Sequence, residues 1–198
     1  MLIVCLVIGC RNRFGMTVYI CCIIFPMKYR NIVISGDVGT GTTTLGKNLA
    51  EKLGWQFLSA GEFFRNYAKE HNIPLWNKAA IPDDFEREVD TNLTQKLKND
   101  KNFVVEGHYA AWFARDLPDV LRILLTCDRE VANLRMLKRE HTHVESVEEI
   151  EKRREGLFAK FKKLYSQENY EDPKLYNLVL DTTNSTIEET LQEALKHL

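Results

Sequence analysis

The chain has 198 residues, enough for one domain with a sizeable core and too few for two ordinary ones. Hydrophobic residues make up 44% and charged residues 28%, the balance of a soluble globular protein. With 27 basic and 28 acidic residues the net charge is −1, which lacks the basic excess of a nucleic-acid binder.

The first 26 residues differ from the rest. They hold four of the five cysteines (Cys5, Cys10, Cys21 and Cys22), carry Arg11 and Arg13, and contain no acidic residue. Two apolar runs flank the arginines, and neither approaches the roughly 20 residues of a membrane helix. No small-residue cleavage site of a secretory signal precedes Met27. Residues 1–26 are therefore expected to be an upstream extension and not part of the fold, with a membrane-associated segment or an integral part of the fold as alternatives, and residues 27–198 as the working domain. That domain retains only Cys127, so it reads as cytoplasmic and disulfide-free, with no membrane partner.

From Met27 onward, strand and helix signals alternate. Asn31–Ser35 is a short β-branched run of the kind found in buried parallel strands. After the turn Gly36–Gly41, residues Thr42–Leu53 place Leu45, Leu49 and Leu53 on one helical face. Trp55–Leu58 reads as a strand. Ser59 and Glu62 form a capping-box pattern that opens a helix to about His71. Asp83–Lys98 is amphipathic and follows Pro82. Asn102–Glu106 and Val120–Thr126 read as strands, and Arg129–Glu140 and Val147–Tyr165 as charged helices, the second opened by Ser146 and Glu149. Asn177–Asp181 is a fifth strand, and Ser185/Thr186 with Glu188/Glu189 open a terminal helix. Strands separated by helices in this way predict a single three-layer α/β domain around a five-stranded parallel sheet.

The chemistry begins at the first turn. Gly36-Asp37-Val38-Gly39-Thr40-Gly41-Thr42-Thr43 has the spacing of a phosphate-binding P-loop, with Thr42 where lysine is usual. Its glycines let the backbone curl so that successive N–H groups point at phosphate oxygens. The helix that follows adds the positive end of its dipole. Thr43 occupies the hydroxyl position that ligates Mg²⁺.

The segment Gly39–Arg65 (GTGTTTLGKNLAEKLGWQFLSAGEFFR) resembles archaeal-type cytidylate kinases, in which threonine at position 42 is the usual residue. The resemblance continues through Phe103–Phe113 (FVVEGHYAAWF), the Arg153–Tyr165 helix and Tyr176–Thr182 (YNLVLDT), and so spans nearly all of 27–198. It implies a monomeric cytoplasmic kinase that uses ATP and Mg²⁺ to phosphorylate a nucleoside monophosphate, CMP or dCMP. It implies that Gly36, Val38, Gly39, Thr40, Gly41, Thr42, Thr43 and Thr44 hold the ATP phosphates, and that Arg65, with Ser59 nearby, grips the acceptor. Arg153 with Lys160 matches the basic pair of a lid helix closing over the phosphates, and the adjacent Arg154 could serve instead. The lid would span Arg135–Tyr165, where nine basic residues gather, and the acceptor region Ser59–Lys98.

Three features depart from the family pattern. His108 stands where the family has arginine after Glu-Gly, and a histidine charges only near its pKa of about 6.5. Asp37 puts a carboxylate in the phosphate loop, where it must point outward. Gly156, Leu157 and Phe158 replace polar residues of the lid helix. A different small-molecule acceptor, or nucleotide binding without catalysis, stays open beside the kinase reading. Cys127 is expected to be a buried thiol, and His141 and His143 to lie in a solvated turn without zinc.

Overall fold

In the computed structural model, residues 2–12 and 15–25 are described as backbone, and residues 27–138 and 145–198 with their side chains. Strands β1 (Leu2–Asn12) and β2 (Gly15–Phe25) pair antiparallel into a two-stranded sheet of their own. His141 and His143 lie outside the described residues.

The main sheet is built from β3 (Asn31–Gly36), β4 (Gln56–Ser59), β5 (Phe103–Glu106), β6 (Val120–Thr126) and β7 (Leu178–Asp181). All its pairings are parallel, in the order β4-β5-β3-β6-β7. β3 is central and buried at every residue, which explains its unbroken apolar run. Its side chains alternate between two cores. Ile32 and Ile34 pack with Leu45 and Leu49 of α1 (Thr42–Leu53), while Val33 packs with Val89 and Leu93 of α3 (Asp83–Asn99). Leu191 and Ala194 of α7 (Ile187–Leu195) complete the first core.

The remaining helices are α2 (Ala60–Glu70), α4 (Ala110–Phe113), α5 (Arg129–Leu137) and α6 (Val147–Leu164). Helices α6 and α7 each begin with a reciprocal capping box, Ser146 with Glu149 and Thr186 with Glu189. Ser59 caps α2 by accepting from the amide of Glu62. The short helix α4, too brief to leave a periodic signal, is absent from the sequence reading.

Helix α6, in the segment expected to form the lid, packs one face against the body of the protein. Ile150, Leu157 and Phe161 are buried among Tyr109, Trp112 and Tyr170, in a third core rich in ring contacts. Leu157 and Phe158, which depart from the polar family pattern, face this cluster. The helix is thus anchored to the body of the protein by its apolar face. No helix among the described residues is long and apolar enough to cross a membrane.

Candidate active site

The P-loop follows β3 at the C-terminal edge of the central strand, the usual ligand edge of such sheets. Gly39 and Gly41 have φ of 88° and 97°, a region costly for any side chain. A Cβ on Gly39 would also lie 2.5 Å from the Ala132 carbonyl oxygen. The first intrahelical bond of α1 runs from the Leu45 amide to the Gly41 carbonyl, so the amides of Thr42, Thr43 and Thr44 start the helix without acceptors. No side chain caps this end and no acidic residue lies in its first turn. Three free N–H groups and the helix dipole make a ready anion cradle.

Asp37 does point outward. Its Oδ2 lies 2.7 Å from Nε of Arg154, and its Oδ1 accepts from the Val38 amide at 2.6 Å. The Val38 amide is therefore committed to the loop itself. Arg154 also donates to the carbonyl of Val38 (2.9 Å), to Asn133 Oδ1 (2.7 Å) and to Glu151 Oε1 (2.7 Å). It braces the outside of the loop. From the other side, Thr182 donates to the carbonyl of Thr40 at 2.9 Å, and the Thr40 hydroxyl closes onto the Asp37 carbonyl at 2.8 Å.

Two cavities flank this loop. The first, of about 290 Å³, is lined by Gly39, Thr40, Gly41, Thr44, Arg135, Thr182 and the start of α7. Arg135 is fixed there by bonds to the Thr182 carbonyl (2.6 Å) and hydroxyl (3.1 Å). It also donates to the sulfur of Cys127 at 3.3 Å, and that thiol is half-buried, less enclosed than its strand-end position suggested. In the sequence Arg135 marks only the start of the expected lid segment. Its spacing carries no motif, and only folding brings α5 beside the P-loop.

The second cavity lies between α2, the Pro74–Ile81 connection and α6. Arg65, Lys78, His108 and Arg153 line it, with Phe64 and Leu157. Arg65 has no carboxylate partner among the described residues, while Arg153 pairs with Glu145 at 3.1 Å. Lys78, unread in the sequence, is buried, and its Nζ lies 4.0 Å from the Phe64 ring centroid.

His108 requires a correction. Its Nδ1 donates to the Gly36 carbonyl at 2.9 Å. Desolvation, reinforced by the nearby cations Arg153 and Lys78, pushes its pKa down to about 3. The ring is neutral at any physiological pH. It lines the second cavity but brings no charge there.

Lys160 lines neither cavity. It is buried, donating to the Ile81 carbonyl (2.7 Å) and to Asp83 (2.5 Å) at the start of α3. Of Arg153, Arg154 and Lys160, only Arg153 lines the second cavity. Arg154 and Lys160 are spent on the protein itself, because α6 is a packed helix with several faces in contact.

Between the two cavities sits Glu106, at the end of β5. Its Oε1 accepts from the hydroxyl of Thr42 at 3.1 Å and its Oε2 from that of Ser59 at 2.6 Å. Thr42 thus ties the P-loop to the carboxylate, and Ser59 ties in the acceptor region. Thr43 adjoins this cluster, and its hydroxyl has no hydrogen-bond partner among the described residues. Threonine hydroxyl and carboxylate oxygens are hard donors of the type Mg²⁺ takes, so the residues present fit that ion. Among the described residues no three His, Cys, Asp or Glu side chains converge as a metal cage of their own.

The chain is similar to known kinases over most of its length. Residues 32–156 match the family model described as an AAA domain. A cytidylate kinase of Ignicoccus hospitalis is 33% identical over 155 residues, covering 76% of this chain and 88% of that protein. One from Saccharolobus islandicus is 26% identical over 170 residues, covering 84% and 89%. Among solved structures, a gluconokinase from Sinorhizobium meliloti superposes with a TM-score of 0.61 at 19% identity, covering 85% of this chain and 90% of its own. A shikimate kinase from Acinetobacter baumannii gives 0.57 at 20%, covering 85% and 92%. At these identities the two structures speak for the fold alone.

Proposed function

Since the chain belongs to the archaeal-type cytidylate kinase family of P-loop kinases, we propose that it transfers the γ-phosphoryl group of ATP to CMP or dCMP. The observation that carries this reading is the pair of cavities. One is lined by P-loop residues and Arg135, the other by Arg65, Lys78 and Arg153. A polyanionic donor fits the first, and an anionic acceptor the second.

In this mechanism the amides of Thr42, Thr43 and Thr44 cradle the donor phosphates. Arg65 holds the acceptor phosphate through a fork whose charge never titrates away. Arg153 and Lys78 stabilise the charge that develops between donor and acceptor. Thr43 would hold Mg²⁺, which neutralises phosphate charge when bound. No side-chain nucleophile is needed, because the acceptor phosphate is already ionised at neutral pH. The neutral His108 favours one further reading, an acceptor without a phosphate group, for which one fewer fixed charge suffices.

The deciding experiment offers the full chain ATP and Mg²⁺ with CMP, dCMP, UMP, AMP, cytidine, shikimate and gluconate. CMP and dCMP should be the preferred acceptors. Arg65→Ala should raise the apparent KM for CMP by about 10- to 100-fold, the worth of one charge-assisted hydrogen bond, and leave that for ATP nearly unchanged. Phosphorylation of a polyol or nucleoside in preference to every monophosphate would overturn the reading.

A further inference from the structure

Glu86, on α3, is fully buried, and neither of its carboxylate oxygens has a hydrogen-bond partner. Its nearest cation, Lys78, is 3.6 Å away, beyond hydrogen-bond length. A buried carboxylate left this way is costly and rare, and calls for a reason. Burial raises its pKa, while Lys78 and Lys160 draw it back.

The surroundings supply a reason. Glu86 and Asp90 line a small cavity together with Gly61, Phe64, Lys78 and His108. The last four also line the cavity of Arg65 and Arg153. The two spaces, of about 40 and 20 Å³, therefore share a wall, with Arg65 and Arg153 lining one and the acidic pair the other. Of that pair Asp90 is already engaged, since its Oδ2 accepts from the hydroxyl of Tyr165 at 2.7 Å. Glu86 is the open acceptor. Phe64 adds an aromatic wall, a surface on which a planar base stacks.

We propose that Glu86 reads the nucleobase of the acceptor by accepting a hydrogen bond from an exocyclic amino group, so that it selects cytosine over uracil. The inference rests on the monophosphate-kinase reading above. With the phosphate held at Arg65 and Arg153, the base points toward the acidic pair. Cytosine presents an amino donor where uracil presents a carbonyl acceptor. An acceptor-only carboxylate attracts the first and repels the second. Lys78, 3.6 Å away, is its nearest cation and works against the burial that raises its pKa.

The test compares the wild-type full chain with Glu86→Gln, using saturating ATP and three acceptors: CMP, UMP, and the 2-pyrimidinone ribonucleotide that lacks the 4-amino group. The wild type should favour CMP over both others by about 10- to 100-fold in kcat/KM, the range for a hydrogen bond to a charged group. Glutamine can accept from an amino group or donate to a carbonyl. Glu86→Gln should therefore bring the CMP/UMP ratio toward one, with UMP gaining, while the KM for ATP stays unchanged. A merely structural role would leave that ratio intact. Retention of the ratio by Glu86→Gln overturns the proposal, and so does equal use of CMP and the deamino analogue by the wild type. The analogue comparison decides even if the variant fails to fold. If the wild type accepts no monophosphate at all, the functional reading falls and this inference falls with it.

Discussion

Replacing Arg154 with methionine would remove the guanidinium that neutralises Asp37 and leave a side chain of similar length. The arginine side chain is 5% exposed and that of Asp37 34%. Breaking a buried pair costs about 3–5 kcal/mol, because the surviving charge is left uncompensated. Asp37 keeps a third of its surface in water, so solvent screening reduces the expected loss to about 2–3 kcal/mol. For a domain of this size that corresponds to a fall in melting temperature of about 4–12 °C. Function should suffer where the brace acts. An unneutralised carboxylate beside the phosphate cradle should raise the KM for ATP by about 10-fold, or roughly 1.4 kcal/mol, without a comparable change for the acceptor. Adding Asp37→Asn to Arg154→Met should recover part of both losses, since the two residues share one interaction. Thermal melting and steady-state kinetics of the wild type, both single variants and the double variant complete the cycle. A hundredfold fall in kcat with an unchanged melting temperature would refute this reasoning. It would mean that Arg154 faces the reacting phosphates, as its place in the sequence suggested.

His108 should show no titration between pH 5 and 8 when its ring protons are followed by NMR. Its folded-state pKa, pushed down to about 3, lies below the unfolded value near 6.5, so the stability it contributes is present above pH 6.5 and is lost as pH falls toward 3. Asp90 should act in the opposite sense. Burial, with Glu86 nearby, pushes its pKa up to about 7 against the hydrogen bond from Tyr165, so the folded state holds a proton that the unfolded chain releases near pH 4. Stability from this group should therefore decline as pH rises from about 4 to 7, and Asp90→Asn should flatten that part of the curve in denaturant titrations.

The sequence by itself determined the elements whose causes are local. The P-loop follows from glycines at fixed spacing, since positive φ at Gly39 and Gly41 excludes other residues. The capping boxes of α6 and α7 join residues three apart, and the buried strand β3 shows as an uninterrupted apolar run. Arg65 was legible because it ends a contiguous motif that folds as one helix. Tertiary structure alone decided the charges. Arg153, Arg154 and Lys160 sit within two turns of one helix, yet they face the acceptor cavity, the P-loop exterior and the start of α3 respectively. Helical geometry sends neighbouring side chains in different directions, and what each meets depends on elements far away in the chain. The same holds for Lys78 with Glu86, for Arg135 at the P-loop, and for Glu106 between Thr42 and Ser59. Each pairing joins residues whose only bond in sequence is membership of the same chain. Burial then sets the protonation of His108 and Asp90, because the cost of desolvating a charge exists only once the fold has closed around it.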